Sequence, residues 1–510
     1  MWRGFYSKKR FSLGGIVSIA LIATALFGAY YLYSEVDQRK YIKFIYERSA
    51  QYHRPERNPV IVIPGILGSR LVNQATGMRV WGAFKGVSVD PGTKEGAQLL
   101  SLPISDPAAC YFQTDCSLKD QRDELAPDGV LDEFNLDLFG LPIGVQAYAN
   151  ILAILGAGGY TDQSLGLSGV DYGDEHFTCF QFDYDWRRDN VENAKRLEKF
   201  IAEKKAFVRK EYKKKFGIDK EDIKFDIVAH SMGGLLARYF LRYGGKDMNE
   251  VDADNIPWTG GDDVERLIMV GTPNAGSVDS FKDLVEGFDA GKPVLPFYSS
   301  SLLGTYPSIY QLLPRPRHKS IVWGENNGQK ATAVDLYNPV LWEQHGWGLA
   351  SKSSGNELFL KNILPQVDSV IERRQIALLQ QARILKRTKQ FHELIDKPAM
   401  PPKGVEMFMV AGDVVETLSE IKLDVKTGAF ISDSETYSAG DGSVLRTSAL
   451  MDERVGQEWA PQLLSPISWS SVLFIAADHL GLTRDSNFEN NVLFWLLEDQ
   501  RTQLLLNSNR

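Results

Sequence analysis

Short uninterrupted apolar runs recur along the chain, and each is closed by glycine, proline or a charged turn. Such runs read as strands buried on both faces. Residues 59–63 form the first and stop at Pro64-Gly65, and residues 177–182 form a second that runs into the charged stretch 183–188. Residues 224–229, 265–270 and 405–410 follow. Between them, apolar residues fall at helical spacing over 190–216, 235–243 and 368–389. This alternation predicts the α/β class, with a mostly parallel sheet covered by helices on both faces. Two stretches break it. Residues 82–145 carry many Gly, Pro and Asp without strong periodicity and predict an inserted excursion. Residues 275–403 exceed what a crossover needs and predict a cap or lid over the sheet. Within that cap, 368–389 reads as a surface helix packing one stripe on the core, with a membrane-lying or gating helix as the alternative.

The N-terminus has a different pattern. Residues 13–33 carry no charge, and Arg3, Lys8, Lys9 and Arg10 precede them. That is about the length a helix needs to cross a bilayer, and the flanking charges favour a cytoplasmic N-terminus. The expectation is a basic segment at 1–12, a transmembrane anchor at 13–33, a stalk at 34–57 and an extracytoplasmic catalytic domain at 58–510. A cleaved signal peptide ending near Ala23-Thr24-Ala25 is the alternative, and would give a secreted form.

Composition narrows the function. The chain has 510 residues, 44% hydrophobic and 24% charged, enough to bury a large core. A net charge of −8 argues against a nucleic-acid partner. The three cysteines lack zinc-like spacing, and no metal or cofactor is expected. Cys110 and Cys116 could close a small disulfide loop in an oxidising compartment and would be plain thiols in a reducing one.

The chemistry is concentrated in Ala229-His230-Ser231-Met232-Gly233, which joins a strand-like run to a helix-like run. A serine at such a sharp turn is held in a strained conformation with its hydroxyl above the sheet. Small residues two before and two after it, Ala229 and Gly233, let strand and helix pass closely. The bland alternative is a chance Ser-x-Gly turn. A serine nucleophile needs a base and an acid, which in this architecture follow in the order Ser, Asp, His. His479, after the apolar run 472–475 and before a C-terminal helical run, is the expected base; His318, His345 and His392 lie in or beside the cap. Asp441, between Gly440 and Gly442, is the expected acid, with Asp413 at a strand end as its rival. The oxyanion donors are expected to be the backbone N–H groups of Met232 and Ile66.

Taken in order, these blocks resemble the lecithin:cholesterol acyltransferase family. Residues 59–71 resemble its opening strand and oxyanion loop, and Tyr184-Asp185-Trp186-Arg187 a block fairly particular to the family. His230-Ser231-Met232-Gly233 matches its elbow, and Gly271-Thr272-Pro273 with Gly276-Ser277 its next strand end. Gly440-Asp441-Gly442-Ser443-Val444 resembles its acid loop, with Ser443 where Thr is common. The resemblance implies an α/β-hydrolase core with a cap, and an acyl-enzyme ester formed on Ser231 from a membrane lipid. Water or an acceptor alcohol would resolve that ester. It also makes Trp81 and Leu67 candidate lipid contacts, a buried core position being the alternative for Trp81. Two other readings remain: a lipase or carboxylesterase that uses water only, and a non-catalytic α/β-hydrolase-like membrane scaffold.

Overall fold

The expected apolar runs pair edge to edge because each is flanked by a crossover long enough to return the chain in parallel. They are β1 (Val60–Ile63), β2 (Cys179–Gln181), β3 (Phe225–His230), β4 (Val264–Val270), β5 (Glu406–Gly412) and β6 (Ser471–Ile475). The computed structural model describes residues 44–501 apart from 83–88, 105–122, 132, 139–140, 147, 173–175, 290–295 and 325–330. The strands form one six-stranded sheet in the order β2-β1-β3-β4-β5-β6, with every neighbouring pair parallel. Successive side chains point to opposite faces. Ile61 and Ile63 join Ile227, Leu267 and Met409 in one core, while Val60 and Val62 join Val228, Ile268 and Val410 in the other. This is the α/β-hydrolase fold.

Helices α1 (Ala149–Ala157) and α6 (Ser486–Leu497) cover the second core through Ile151, Leu155, Val492 and Leu496. Helices α2 (Asn190–Phe216) and α3 (Met232–Tyr243) cover the first through Leu197, Ile201, Leu235 and Leu236. The observed bounds of α2 are those expected. Asp189 accepts a hydrogen bond from the Val191 N–H at its start, and Gly217 closes it at φ 70°.

The two irregular stretches also have structure. Part of 82–145 folds as a helix, Lys94–Leu100, and as antiparallel strands, among them Leu125–Val130 against Ser69–Asn73. Residues 275–403 include α4 (Val278–Glu286) and α5 (Val370–Ile395). Helix α5 buries Ile376, Ile384, Leu385 and Phe391 and leaves Val370 and Ile371 exposed, the one-stripe surface helix.

The single-pass membrane anchoring is corrected. Among the described residues, no helix is long and apolar enough to cross a membrane. A span needs about 20 consecutive apolar residues, and the long helices α2 and α5 are instead interrupted by charge throughout. Residues 13–33, on which that expectation rested, lie outside the described residues, as do Cys110 and Cys116.

Candidate active site

β3 ends at His230 and α3 begins at Met232, so Ser231 alone makes the turn. It does so at φ 52° and ψ −127°, a region non-glycine residues rarely adopt. Its N–H is held by the Val270 carbonyl at 2.8 Å, and its carbonyl accepts from the Gly234 N–H at 3.0 Å. The neighbours must be small. A Cβ on Gly65 would lie 2.7 Å from Ser231 Cβ, and one on Gly233 would overlap the Pro64 carbonyl oxygen. Met232 opens a helix, where N–H groups of the first turn lack intrahelical partners. Ile66 and Leu67 sit in the turn closed by the Gly68 N–H to Gly65 carbonyl bond, 3.1 Å, with Leu67 at φ 63°. The block 184–187 clamps this turn. Tyr184 Oη donates to the Pro64 carbonyl at 2.9 Å, and Trp186 Nε1 to the Ser69 carbonyl at 3.1 Å.

Asp441 and His479 come together. Asp441 Oδ2 lies 2.7 Å from His479 Nδ1, and Oδ1 accepts from the N–H groups of Ser443 (3.0 Å) and Val444 (2.7 Å). Burial pushes the Asp441 carboxyl up, but His479 and these amides outweigh it and hold it below its ordinary value. A carboxylate on Nδ1 selects the tautomer with its proton there and leaves Nε2 free to act as a base. Asp441 reaches this point by lying over the end of β5, where a Cβ on Gly412 would meet Asp441 Cβ at 2.6 Å. Asp413 makes no hydrogen bond to His479 among the described residues. Asp478 points away and accepts from the Gly481 N–H at 2.7 Å. His392 is buried between Tyr337 Oη (2.8 Å) and the Gln311 carbonyl (2.9 Å), a structural position.

Ser231, His479, Ile66, Leu67 and Trp81 all line one cavity of about 590 Å³. The segment 275–403 supplies much of its apolar wall, including Tyr298, Leu303, Tyr306 and Ile309. Trp81 is both core and lining: it is 3% exposed, donates Nε1 to the Leu67 carbonyl at 2.9 Å and meets Trp186 edge-on at 5.4 Å. On the rim, α4 presents Asp279, Lys282 and Asp283. Burial, with Asp279 nearby, pushes the Asp283 carboxyl up to about 7. Among the described residues no group of His, Cys, Asp and Glu could hold a metal ion.

Two residues beside the site carried no assignment in the sequence. Tyr148, just before α1, hydrogen-bonds Gly65 and His230, and His230 in turn reaches the backbone of His479. Tyr148 follows the excursion and belongs to no motif, so only tertiary contact reveals it.

The sequence profile of the lecithin:cholesterol acyltransferase family matches residues 168–429, slightly more than half of the chain. The chain belongs to this family. Membership makes it a protein that acts on lipid esters, as an acyltransferase or a hydrolase. The match covers the elbow and the whole of the segment 275–403, whereas Asp441 and His479 lie beyond it. No curated protein matches the chain by sequence. Among solved structures, a chain in the crystal structure of the Tle4–Tli4 complex aligns with a TM-score of 0.53 at 15% identity, covering 86% of this chain and 98% of that one. It shares the fold. The Bacillus licheniformis lipase BlEst2 in its mature form aligns with a TM-score of only 0.28 at 13% identity, over 88% of this chain and 94% of that one.

Proposed function

We propose that this member of the lecithin:cholesterol acyltransferase family is a serine enzyme that takes an acyl group from a lipid ester onto Ser231. The observation that carries the reading is the 2.7 Å bond between Asp441 Oδ2 and His479 Nδ1, with His479 and Ser231 on the wall of the same apolar cavity. In this mechanism Ser231 Oγ attacks the ester carbonyl carbon while His479 Nε2 takes its proton. The negative charge forming on the carbonyl oxygen is met by the N–H groups of Ile66 and Met232. Collapse of the tetrahedral intermediate breaks the ester C–O bond, and the imidazolium returns the proton to the departing alcohol. Asp441 holds the ring and stabilises the imidazolium. Water or a second alcohol, deprotonated by the same imidazole, then attacks the acyl-enzyme and frees Ser231. The wall contributed by 275–403 supports a cap that governs how much water reaches the acyl-enzyme.

A fluorophosphonate probe should label the wild-type chain and leave Ser231→Ala unlabelled. An unlabelled wild type, or a labelled Ser231→Ala, overturns the reading. Ser231→Ala and His479→Ala should each cost several orders of magnitude in kcat, and the double variant little more, because the residues act as one unit. Asp441→Asn should lower kcat by about 10⁴-fold with the fold intact. Incubation with a phospholipid, with and without a long-chain alcohol, followed by product identification by mass, separates hydrolysis from transfer.

A further inference from the structure

A single line of hydrogen bonds connects the oxyanion turn to the backbone of the candidate base. The Gly65 N–H donates to Tyr148 Oη at 2.7 Å. Tyr148 Oη lies 3.3 Å from His230 Nδ1, and His230 Nε2 lies 3.1 Å from the His479 carbonyl oxygen. The carbonyl end and a neutral His230 ring together fix the protons between them. An amide can only donate and a carbonyl can only accept. His230 therefore carries its hydrogen on Nε2, and its bare Nδ1 accepts a hydrogen bond from the Tyr148 hydroxyl. Protonating His230 would reverse the middle bond and strand that hydroxyl hydrogen in a buried space.

The surroundings keep this arrangement rigid. Tyr148 is 3% exposed and His230 2%. Their rings meet edge-on with centroids 5.5 Å apart, and the His230 and His479 rings are 4.7 Å apart. A Cβ on Gly68 would strike both Pro64 and the Tyr148 hydroxyl at 2.7 Å, so the turn closes directly on Tyr148. Burial, then the neighbouring His479, lowers the His230 pKa from 6.5 to about 3, which keeps the ring neutral. Neither residue lines the cavity, so neither is placed to touch a substrate.

We infer that Tyr148 and His230 are positioning residues, a bridge that sets the distance between the oxyanion donors beside Gly65 and the imidazole of His479. The inference rests on the serine mechanism proposed above. In that mechanism both groups must meet one tetrahedral carbon, and a misplacement of about 1 Å can cost on the order of 100-fold in rate. Such a bridge acts on the transition state and leaves ground-state binding alone.

The test uses the full chain with p-nitrophenyl butyrate as substrate and fluorophosphonate titration to count working sites. Tyr148→Phe should lower kcat per titrated site by about tenfold to 100-fold with KM within about twofold, and should slow phosphonylation similarly. His230→Gln keeps a donor for the His479 carbonyl but gives Tyr148 no well-placed acceptor, and should lose kcat likewise. The two losses should not multiply in the double variant, because either one breaks the same bridge. Losses that multiply overturn the inference. So does Tyr148→Phe with wild-type kcat per titrated site, even if fewer sites titrate, since that is the signature of a merely structural role. If Tyr148→Phe does not fold, kcat and KM of His230→Gln alone decide by the same criterion. A wild type that fails to label at Ser231 sinks the serine mechanism itself; a labelled wild type with unaffected variants sinks only the bridge.

Discussion

Residue by residue, the site is held by groups whose protons are fixed by burial. His230 is the plainest case, since its pKa falls from 6.5 to about 3. Between those values the unfolded chain binds a proton that the folded chain refuses, so stability rises with pH across that window. The destabilisation is fully relieved above pH 6.5 and stops growing below about 3. Each pH unit inside the window is worth about 1.4 kcal/mol for one such proton. Buried His392, also held well below 6.5, acts in the same direction. Urea unfolding of His230→Gln between pH 4 and 6 should therefore give a curve flatter by about one proton than wild type. An unchanged slope would mean that His230 is charged in the folded chain. Ser231, Asp441 and His479 were legible as candidates because each sits beside a local signal: an elbow, paired glycines, a late apolar run. Tyr148 has no such signal. It matters only through what the fold brings to its hydroxyl.

Among the elements, the decisive contact is where β1 passes the start of α3. Gly233 faces the carbonyl oxygens of Pro64 and Ile63 and the Ile63 side chain. Gly233→Ala gains about 1 kcal/mol in helix propensity. It also drives a methyl group into backbone that cannot swing aside, and overpacking of this kind costs about 1–3 kcal/mol. Overpacking should win: denaturant unfolding should show a net loss of stability, and kcat should fall as the Gly65–Gly68 turn moves from Ser231. A more stable and fully active variant would contradict the packing. The bounds of α2 could be read from Asp189 and Gly217, local capping signals. The end of α5 could not. Its last carbonyls, at Leu394 and Ile395, are taken by Arg238, Arg242 and Tyr243 of α3, more than 150 residues away in the chain.

At the scale of the whole molecule, buried ion pairs fasten the added segments to the sheet. Asp396, at the end of α5, receives Arg315 Nε at 2.8 Å and Nη2 at 3.1 Å, and Arg317 Nη2 at 2.9 Å. Arg315 Nη2 also donates to the Asn274 carbonyl in the loop after β4, at 3.1 Å. One carboxylate thus ties the cap to the loop beside Ser231. Asp396→Asn would leave the buried Arg315 guanidinium without its counter-charge, while Arg317 keeps Glu453 at 2.6 Å, a loss of about 3–5 kcal/mol. Urea denaturation should report it, and a loss under 1 kcal/mol, the range of surface pairs, would show that the cluster is solvated. Likewise Arg187 joins Asp185 to Asp123 at 2.8 Å and to the Leu100 carbonyl at 3.0 Å, docking the excursion onto the core.

The amino-acid order alone determined the α/β alternation, the elbow at Ser231 and the candidates Asp441 and His479, because these depend on periodicity and on short-range backbone geometry. Tertiary structure alone brought Asp441, arching over β5, onto His479 Nδ1, a contact that Asp413 at the strand end does not make among the described residues. It also placed Tyr148 and His230 between the Gly65 turn and the His479 backbone. Those relations depend on distances between segments remote in the chain, and no local pattern encodes a distance that only packing creates.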